Sequence, residues 1–449
     1  MNGGTFTPGV EKERAGIYFR FTSAAQQRLS VGVRGTVALP AVLGWGPSKQ
    51  FISIRDTEDI EKKIGLSLSD PSMLLLKEAK KKAQTVLLYR VNEGSKASAD
   101  LTATATATAK YGGSKGNEIV IKVAENVVDS LKKDVTTFVN EKAFNRQTVT
   151  DATELVSNDW VDFSGAGALE DSAGLSLTGG ENGEPVVLDY TDFLEAAETE
   201  YFDVIALPVD DEEELKTTFV SFVKRVRDQQ GQKITGVLPN FAGDYEGIIN
   251  VTTEKVVLED GTELSAAEQV AWVAGASAGA SITQSLTFME YEGAVDISPR
   301  LGNDDIIDKL KNGEFLFTHD PRERSVSVEK DINSFTSFTN DKNERFSKNR
   351  IIRVLDAINN DIRRELRSLI QNRKNNGLDI PANNDGVQIV TTLATVYMNA
   401  LQDGSAIQNF NSQNDIQISI NEAGDGFYIN MGAQPVDSAE KFYFGVEVR

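Results

Sequence analysis

Cysteine is absent from the 449 residues, and histidine occurs once, at His319. The first absence excludes disulfides, thiolate metal sites and cysteine nucleophiles. The second excludes clustered-histidine metal sites and leaves almost no room for imidazole acid–base chemistry. Long apolar runs are missing too. The most apolar stretch, VAWVAGASAGASI at 270–282, is too short and too rich in small residues to span a bilayer, so no stable membrane insertion is expected. The opening MNGGTFTPGVEKERAG lacks the apolar centre that a secretory signal requires. Basic charge is in deficit: 46 Lys and Arg face 67 Asp and Glu, for a net charge of −21. Hydrophobic residues reach 40%, enough for packed cores and against disorder. The length predicts two to four domains in a chain built to stay soluble inside a cell.

The acid is not spread evenly. Residues 1–99 carry 15 basic and 9 acidic side chains, residues 100–210 carry 7 and 21, and residues 211–320 carry 9 and 20. The remaining 129 residues are close to neutral, with 15 basic and 17 acidic. An acidic middle repels nucleic-acid phosphates and keeps copies of the chain apart. The two ends share a different chemistry, although random scatter of surface charge gives the same totals.

Along the chain, 31–95 follows a strand–helix–helix–strand pattern. GTVALPAVLGWGP opens it, Asp56 is a candidate cap for DTEDIEKKIG, and Asp70-Pro71 places a cap and a first-turn proline before SMLLLKEAKKKA. TVLLYRV at 85–91 then has the composition of a buried strand. From 96 to about 184 the pattern becomes short β runs and glycine turns, with strict alternation in TATATATA at 102–109. The α/β pattern resumes with YFDVIALP, an acid-led helix DDEEELKTTFVSFVKRVRDQQ and KITGVLPN. Ser265 and Glu268 then form a capping box ahead of a small-residue helix. The last region holds one long helix, roughly 344–374, with Ile351, Leu355, Ile358, Ile362, Leu366 and Leu369 as its buried stripe. Arg350, Arg353, Arg364 and Arg367 fall on the opposite face. Residues 345–374 carry nine basic and three acidic side chains, the strongest basic island of the chain. A helix at about 384–402 and paired strands in IQISINEAGDGFYINMGAQPV follow.

Enzymatic motifs are weak. GWGPSK (44–49), YGGSKGN (111–117) and GASAGAS (275–281) match neither GxxxxGK[ST] nor a GxGxxG between strand and helix, so they are expected to be turns or packing glycines and no cofactor is predicted. His319, beside Asp320, has no GxSxG elbow to serve and is expected on a surface loop. The basic helix face lacks interleaved aromatics, which argues against direct nucleic-acid binding. A solvated face or docking on an acidic protein partner remain as its readings.

Both termini carry an alternating segment. In GIYFRFTS, Ile17, Phe19 and Phe21 share a face; in KFYFGVEVR, Phe442, Phe444, Val446 and Val448 do. Exposed greasy edge strands are an aggregation hazard. Either each end pairs inside its own chain, or each is donated to a neighbouring copy, which makes head-to-tail filaments.

The runs YEGAVDISPRLGNDDIIDKLKNGEFLFT (291–318), VEKDINSFTSFT (328–339), FSKNRIIRVLDAINNDIRREL (346–366), GSAIQNF (404–410) and AQPVDSAEKFYFGVEVR (433–449) resemble contractile phage tail sheath proteins. The closest likeness is to sheaths of defective prophages and phage-tail-like bacteriocins of Gram-positive bacteria. GWGP and YGGSKGNEIVIKV fit the same family. The resemblance implies a multidomain α/β and α+β chain whose C-terminal sheet is completed by arms of neighbouring subunits. It implies an N-terminal arm at 1–25 with its strand at 16–22, a core at 26–95 plus 185–330, and an inserted outer β-rich domain at 96–184. An inner C-terminal domain at 331–440 would face a tail tube, and 441–449 would be the second arm. Implied partners are further sheath subunits, the inner tube protein, and baseplate and tail terminator proteins. The subunit would be assembled in a bacterial host cytoplasm and would contract to drive the tube through an envelope. The alternative is an acidic soluble α/β enzyme, a hydrolase or nucleotide-binding protein, with a β accessory domain.

Overall fold

The computed structural model describes residues 3–4, 17–18, 34–56 and 60–448. Phe19 and Phe21 lie outside the described residues, as does most of the N-terminal segment. Ile17–Tyr18 pairs in parallel with Gly3–Gly4 of the same chain.

A seven-stranded sheet forms the centre. Its strands are β1 (Thr36–Ala41), β2 (Phe51–Ile54), β3 (Thr85–Arg90), β4 (Val204–Ala206), β5 (Thr235–Pro239), β6 (Ile248–Val251) and β7 (Glu314–Phe315). They lie in the order β7-β6-β5-β4-β1-β3-β2, all parallel except β2, which runs antiparallel to β3. Both faces are covered, which is why the strands are apolar throughout rather than alternating with polar residues. Val37, Leu39, Val86, Leu88, Val237 and Ile249 face one layer, formed by α1 (Leu74–Lys80) and α4 (Ala266–Gly279). Ala38, Leu87, Ile205 and Leu238 face the other, formed by α2 (Val187–Ala197) and α3 (Glu213–Asp228).

Local signals set the helix starts. Asp70 accepts from the Ser72 amide at 2.9 Å and Pro71 begins the turn that leads into α1. Ser265 and Glu268 exchange bonds as a capping box at the start of α4. The small residues of α4 are there for close approach: a Cβ on Gly275 would lie 2.3 Å from the carbonyl oxygen of Ala79, and one on Gly279 2.3 Å from that of Lys82. GASAGAS is therefore the contact between α4 and the α1 end.

Residues between β3 and α2 form two facing sheets. One has the order Lys142–Val149, Lys133–Val139, Ile119–Glu125, Ser172–Ser176; the other has Val161–Gly165, Ala105–Ala109, Ser98–Asp100. Strict alternation in TATATATA buries Ala105, Ala107 and Ala109 between them. The other two glycine-rich segments join this unit to the core. Arg90 is buried and donates to the carbonyls of Gly46 (2.6 Å), Gly112 (2.8 Å) and Glu93 (3.0 Å), and burial pushes its pKa down to about 10. Trp45 stacks on Trp160 at 5.0 Å. Carbonyls turned onto a guanidinium are the reverse of a phosphate loop, which presents N–H groups.

His319 is not on a loop. It sits half-buried in the strand Phe317–Asp320, opposite Val326 of Ser325–Val328. The chain then reaches α5 (Asn349–Asn375), α6 (Asn384–Asp403) and an antiparallel ribbon of β8 (Ile416–Ile420) and β9 (Phe427–Met431). Val354, Ile358, Ile362, Tyr397, Met398 and Leu401 form a separate small core between the two helices.

Because the α4–α1 contact is backbone against backbone, Gly275→Ala should destabilise the fold by about 1–3 kcal/mol, as overpacking does. Urea unfolding of the non-polymerised chain measures it; an unchanged midpoint would mean the two helices separate freely.

Candidate functional site

The alternating C-terminal segment has no ladder partner among the described residues. Phe442, Tyr443, Phe444, Val446 and Val448 are 69–92% exposed. Immediately before it the chain is held at many points. Gln434 O accepts from the Gln408 amide at 2.9 Å, Val436 N donates to Ala406 O at 2.9 Å, and Arg345 donates to Pro435 O at 2.7 Å. Asp437 pairs with Lys348, Ser438 Oγ accepts from Arg350 at 2.9 Å, and Glu440 accepts from Thr287 (2.8 Å) and Ser285 (3.3 Å).

The β8–β9 ribbon lies in the same region. Its register opposes Ile416 to Met431, Ile418 to Ile429 and Ile420 to Phe427, so one face is apolar. That face packs toward α6, where Gly386 makes room: a Cβ there would meet the Phe427 ring at 2.8 Å. Among the described residues each of the two strands has one ladder partner, so each has one unpaired edge there. An isolated two-stranded ribbon is only marginally stable in water.

The long helix departs from its amphipathic pattern. Arg350 and Arg353 were placed on the outward face by their spacing, yet they are 8% and 6% exposed. Arg353 donates to Gln284 O at 2.6 Å and faces Asp331; burial lowers its pKa, with Asp331 opposing. Arg350 holds Ser438. Neither presents its charge outward, so both are removed from the docking set. The physical reason is that the first half of α5 is buried on all sides, Ile351, Ile352, Val354 and Ala357 included. Asp356 takes both Arg227 nitrogens of α3 at 2.8 Å. Burial works against the Arg227 charge, but Asp356 outweighs it and raises the pKa above the usual arginine value. The Asn360 amide bonds both main-chain groups of Lys233, at 3.0 and 2.9 Å. Beyond this seam, Arg364 and Arg367 are exposed, Arg364 bonded to Asp361 (2.8 Å) and Glu365 (3.1 Å).

A polar pocket at the starts of β1, β4 and β5 is lined by Arg34, Asp203, Lys233, Arg353 and Asp356. Its charges are engaged: Arg34 donates to Arg353 O, Asp203 accepts from the Gly35 and Thr36 amides, and Lys233 faces Asp228. Among the described residues no helix is long and apolar enough to cross a membrane.

Sequence comparison matches the chain to four family models in succession. They are the tail sheath protein Gp18 domain III N-terminal region (34–91), the phage tail sheath protein beta-sandwich domain (92–182), the phage tail sheath protein central domain (183–334) and the phage tail sheath C-terminal domain (341–449). The sheath tail protein Lin1278 of Listeria innocua is 52% identical, with a TM-score of 0.81 over 93% of this chain and 95% of that one.

The chain belongs to the phage tail sheath family.

The phage-like element PBSX protein XkdK of Bacillus subtilis (strain 168) is 57% identical over the whole of both chains. The sheath fold also extends to the helical sheath of the anti-feeding prophage in its contracted state, at 12% identity, a TM-score of 0.56 and coverage of 98% and 99%. The protein is thus a structural subunit of a contractile tail sheath, part of a tail or tail-like particle.

Loss of one member of the buried seam is expected to be costly. Asp356→Ala leaves Arg227 buried and uncompensated, for about 3–5 kcal/mol of stability, whereas the double change Arg227→Met with Asp356→Leu should recover most of it. Denaturant midpoints of the three chains test this; a single variant as stable as the parent would show that the pair carries no structural load.

Proposed function

We propose that the subunit polymerises as stacked rings around an inner tail tube and contracts on a baseplate signal to drive the tube through the target envelope. One observation carries the reading: among the described residues, an exposed segment with alternating apolar side chains has no ladder partner, in a chain whose C-terminal ribbon holds two strands only. Two arms and two edges suit a mesh in which Phe442, Phe444, Val446 and Val448 of one copy line an edge of β8–β9 in the next, and the 16–22 segment, with Ile17, Phe19 and Phe21, takes the other. Nine residues from Lys441 to the C-terminus reach at most ~30 Å, enough for an adjacent copy. Main-chain ladders of this kind give directional, head-to-tail association.

In this reading the inner 331–440 region faces the tube, the 96–184 insertion faces outward, and 26–95 with 185–330 forms the body between them. The exposed half of α5, with Arg364 and Arg367, supplies the tube contact against an acidic surface. Subunits move as rigid bodies, exchanging tube contacts for sheath–sheath contacts while the arms hold. No catalytic step or nucleotide is involved, since energy is stored at assembly. Baseplate and terminator proteins bound the two ends, and assembly takes place in the host cytoplasm.

Deleting 441–449 should abolish tube formation and leave soluble subunits, as size distribution and electron microscopy will show; long tubes from the truncated chain would sink the arm reading. Charge reversal at Arg364 and Arg367 should leave sheath–sheath association intact and reduce co-assembly with the purified tube. Unchanged tube-templated assembly at low salt would remove the helix from that role.

A further inference from the structure

The change in tethering at Glu440 is abrupt. From Gln434 to Ser438, and again at Glu440, each residue is bonded to the body through its backbone or its side chain; over 441–448 no contact of that kind is present among the described residues. The tethers also come from two different parts of the subunit. Arg345, Lys348 and Arg350 belong to the start of α5 and the turn before it, whereas Ser285 and Thr287 belong to the segment after α4.

That second group is wired into the buried seam. Thr287 Oγ1, which donates to Glu440, accepts from the Asp331 amide at 3.0 Å. The Asp331 carboxylate accepts from Leu286 N at 3.0 Å and from the Asn349 side chain at 2.9 Å, and it faces Arg353. Arg353 in turn holds Gln284 O at 2.6 Å. The last tether of the tail is therefore referenced to the rigid body of the subunit and not only to the small C-terminal core.

We infer that residues 434–440 form a clamp that fixes the pivot and exit direction of the C-terminal arm. Lys348, Arg350, Ser285 and Thr287 act in it as positioning residues for the contact between neighbouring copies. The inference rests on the proposed donation of the arm and adds what aims it. An arm free from Lys441 onward starts from one point on each copy. If Asp437, Ser438 and Glu440 all let go, four more residues, 437–440, join the free segment and lengthen its reach by roughly 13 Å. Neighbours then remain linked, but their spacing is no longer dictated by the subunit. Arg350 and Arg353 act through the clamp and touch no partner.

The triple variant Asp437→Ala, Ser438→Ala and Glu440→Ala tests this, since all three side chains are only half-buried and the arm itself stays intact. Hydrogen exchange of residues 437–440 in the non-polymerised chain should accelerate on the order of tenfold toward that of 441–448, with the global unfolding midpoint unchanged. The variant should still polymerise, but image analysis of its tubes should show variable pitch and diameter. Glu440→Gln, whose amide oxygen still accepts from both hydroxyls, should keep parental order. Parental exchange at 437–440, or tubes of parental helical order from the triple variant when deletion of 441–449 abolishes tubes, overturns the clamp and leaves arm donation standing. Tubes from the deletion itself overturn both.

Discussion

A segment with a greasy face has to be covered somewhere, and among the described residues the C-terminal segment of this subunit finds no ladder partner. Phe442, Phe444, Val446 and Val448 stay exposed. In a monomeric protein such a segment would invite indiscriminate aggregation. In the proposed mesh the same liability becomes a linkage, because a β ladder is directional and its register is selected by which face is apolar. The exposed ribbon edges of β8–β9 are the complementary deficit: too few strands for a stable sheet, and an apolar face already laid against α6.

What makes the linkage mechanically useful is the seam between the body and α5. Arg227–Asp356, Asn360–Lys233 and the Asp331 cluster knit the first half of the helix into the α/β core. Buried ion pairs of this kind contribute little net stability compared with apolar packing, but breaking one costs a great deal. They suit a subunit that must transmit a pull on its arm to its whole body without yielding internally. The exposed second half of α5 is free of this seam and carries charge outward, so adhesion to a partner and internal rigidity use different stretches of one helix.

Much of this was legible in the sequence where the cause is local. Asp70-Pro71, the Ser265–Glu268 box, the alternating alanines of 105–109 and the paired strands after 416 announce themselves within a few residues, and the ordered C-terminal runs carried the family. The arginine face was misread for a physical reason. Helical spacing separates two faces but does not say that both are buried, and Arg350 and Arg353 find their partners in Ser438, Gln284 and Asp331, far away in sequence. The clamp was invisible for the same reason: nothing in DSAE at 437–440 names Ser285 or Thr287. His319 was expected on a surface loop because no GxSxG elbow accompanies it, whereas it lies in the strand Phe317–Asp320 and the turn begins only at Pro321.

Charge explains why two kinds of contact are needed. Copies that each carry −21 repel one another when stacked, and that repulsion is long-ranged only within a Debye length of ~8 Å at physiological ionic strength. Backbone hydrogen bonds and buried phenylalanines do not depend on the sign of the charge, so an arm ladder can hold like-charged copies together. The tube contacts proposed for Arg364 and Arg367 would depend on it entirely, and exposed pairs of that type are worth ~0–1 kcal/mol each. The strong contacts are then the ones that must survive contraction and the weak ones are those that must be given up. A subunit that used ionic contacts for both would have no way to release its tube without also releasing its neighbours.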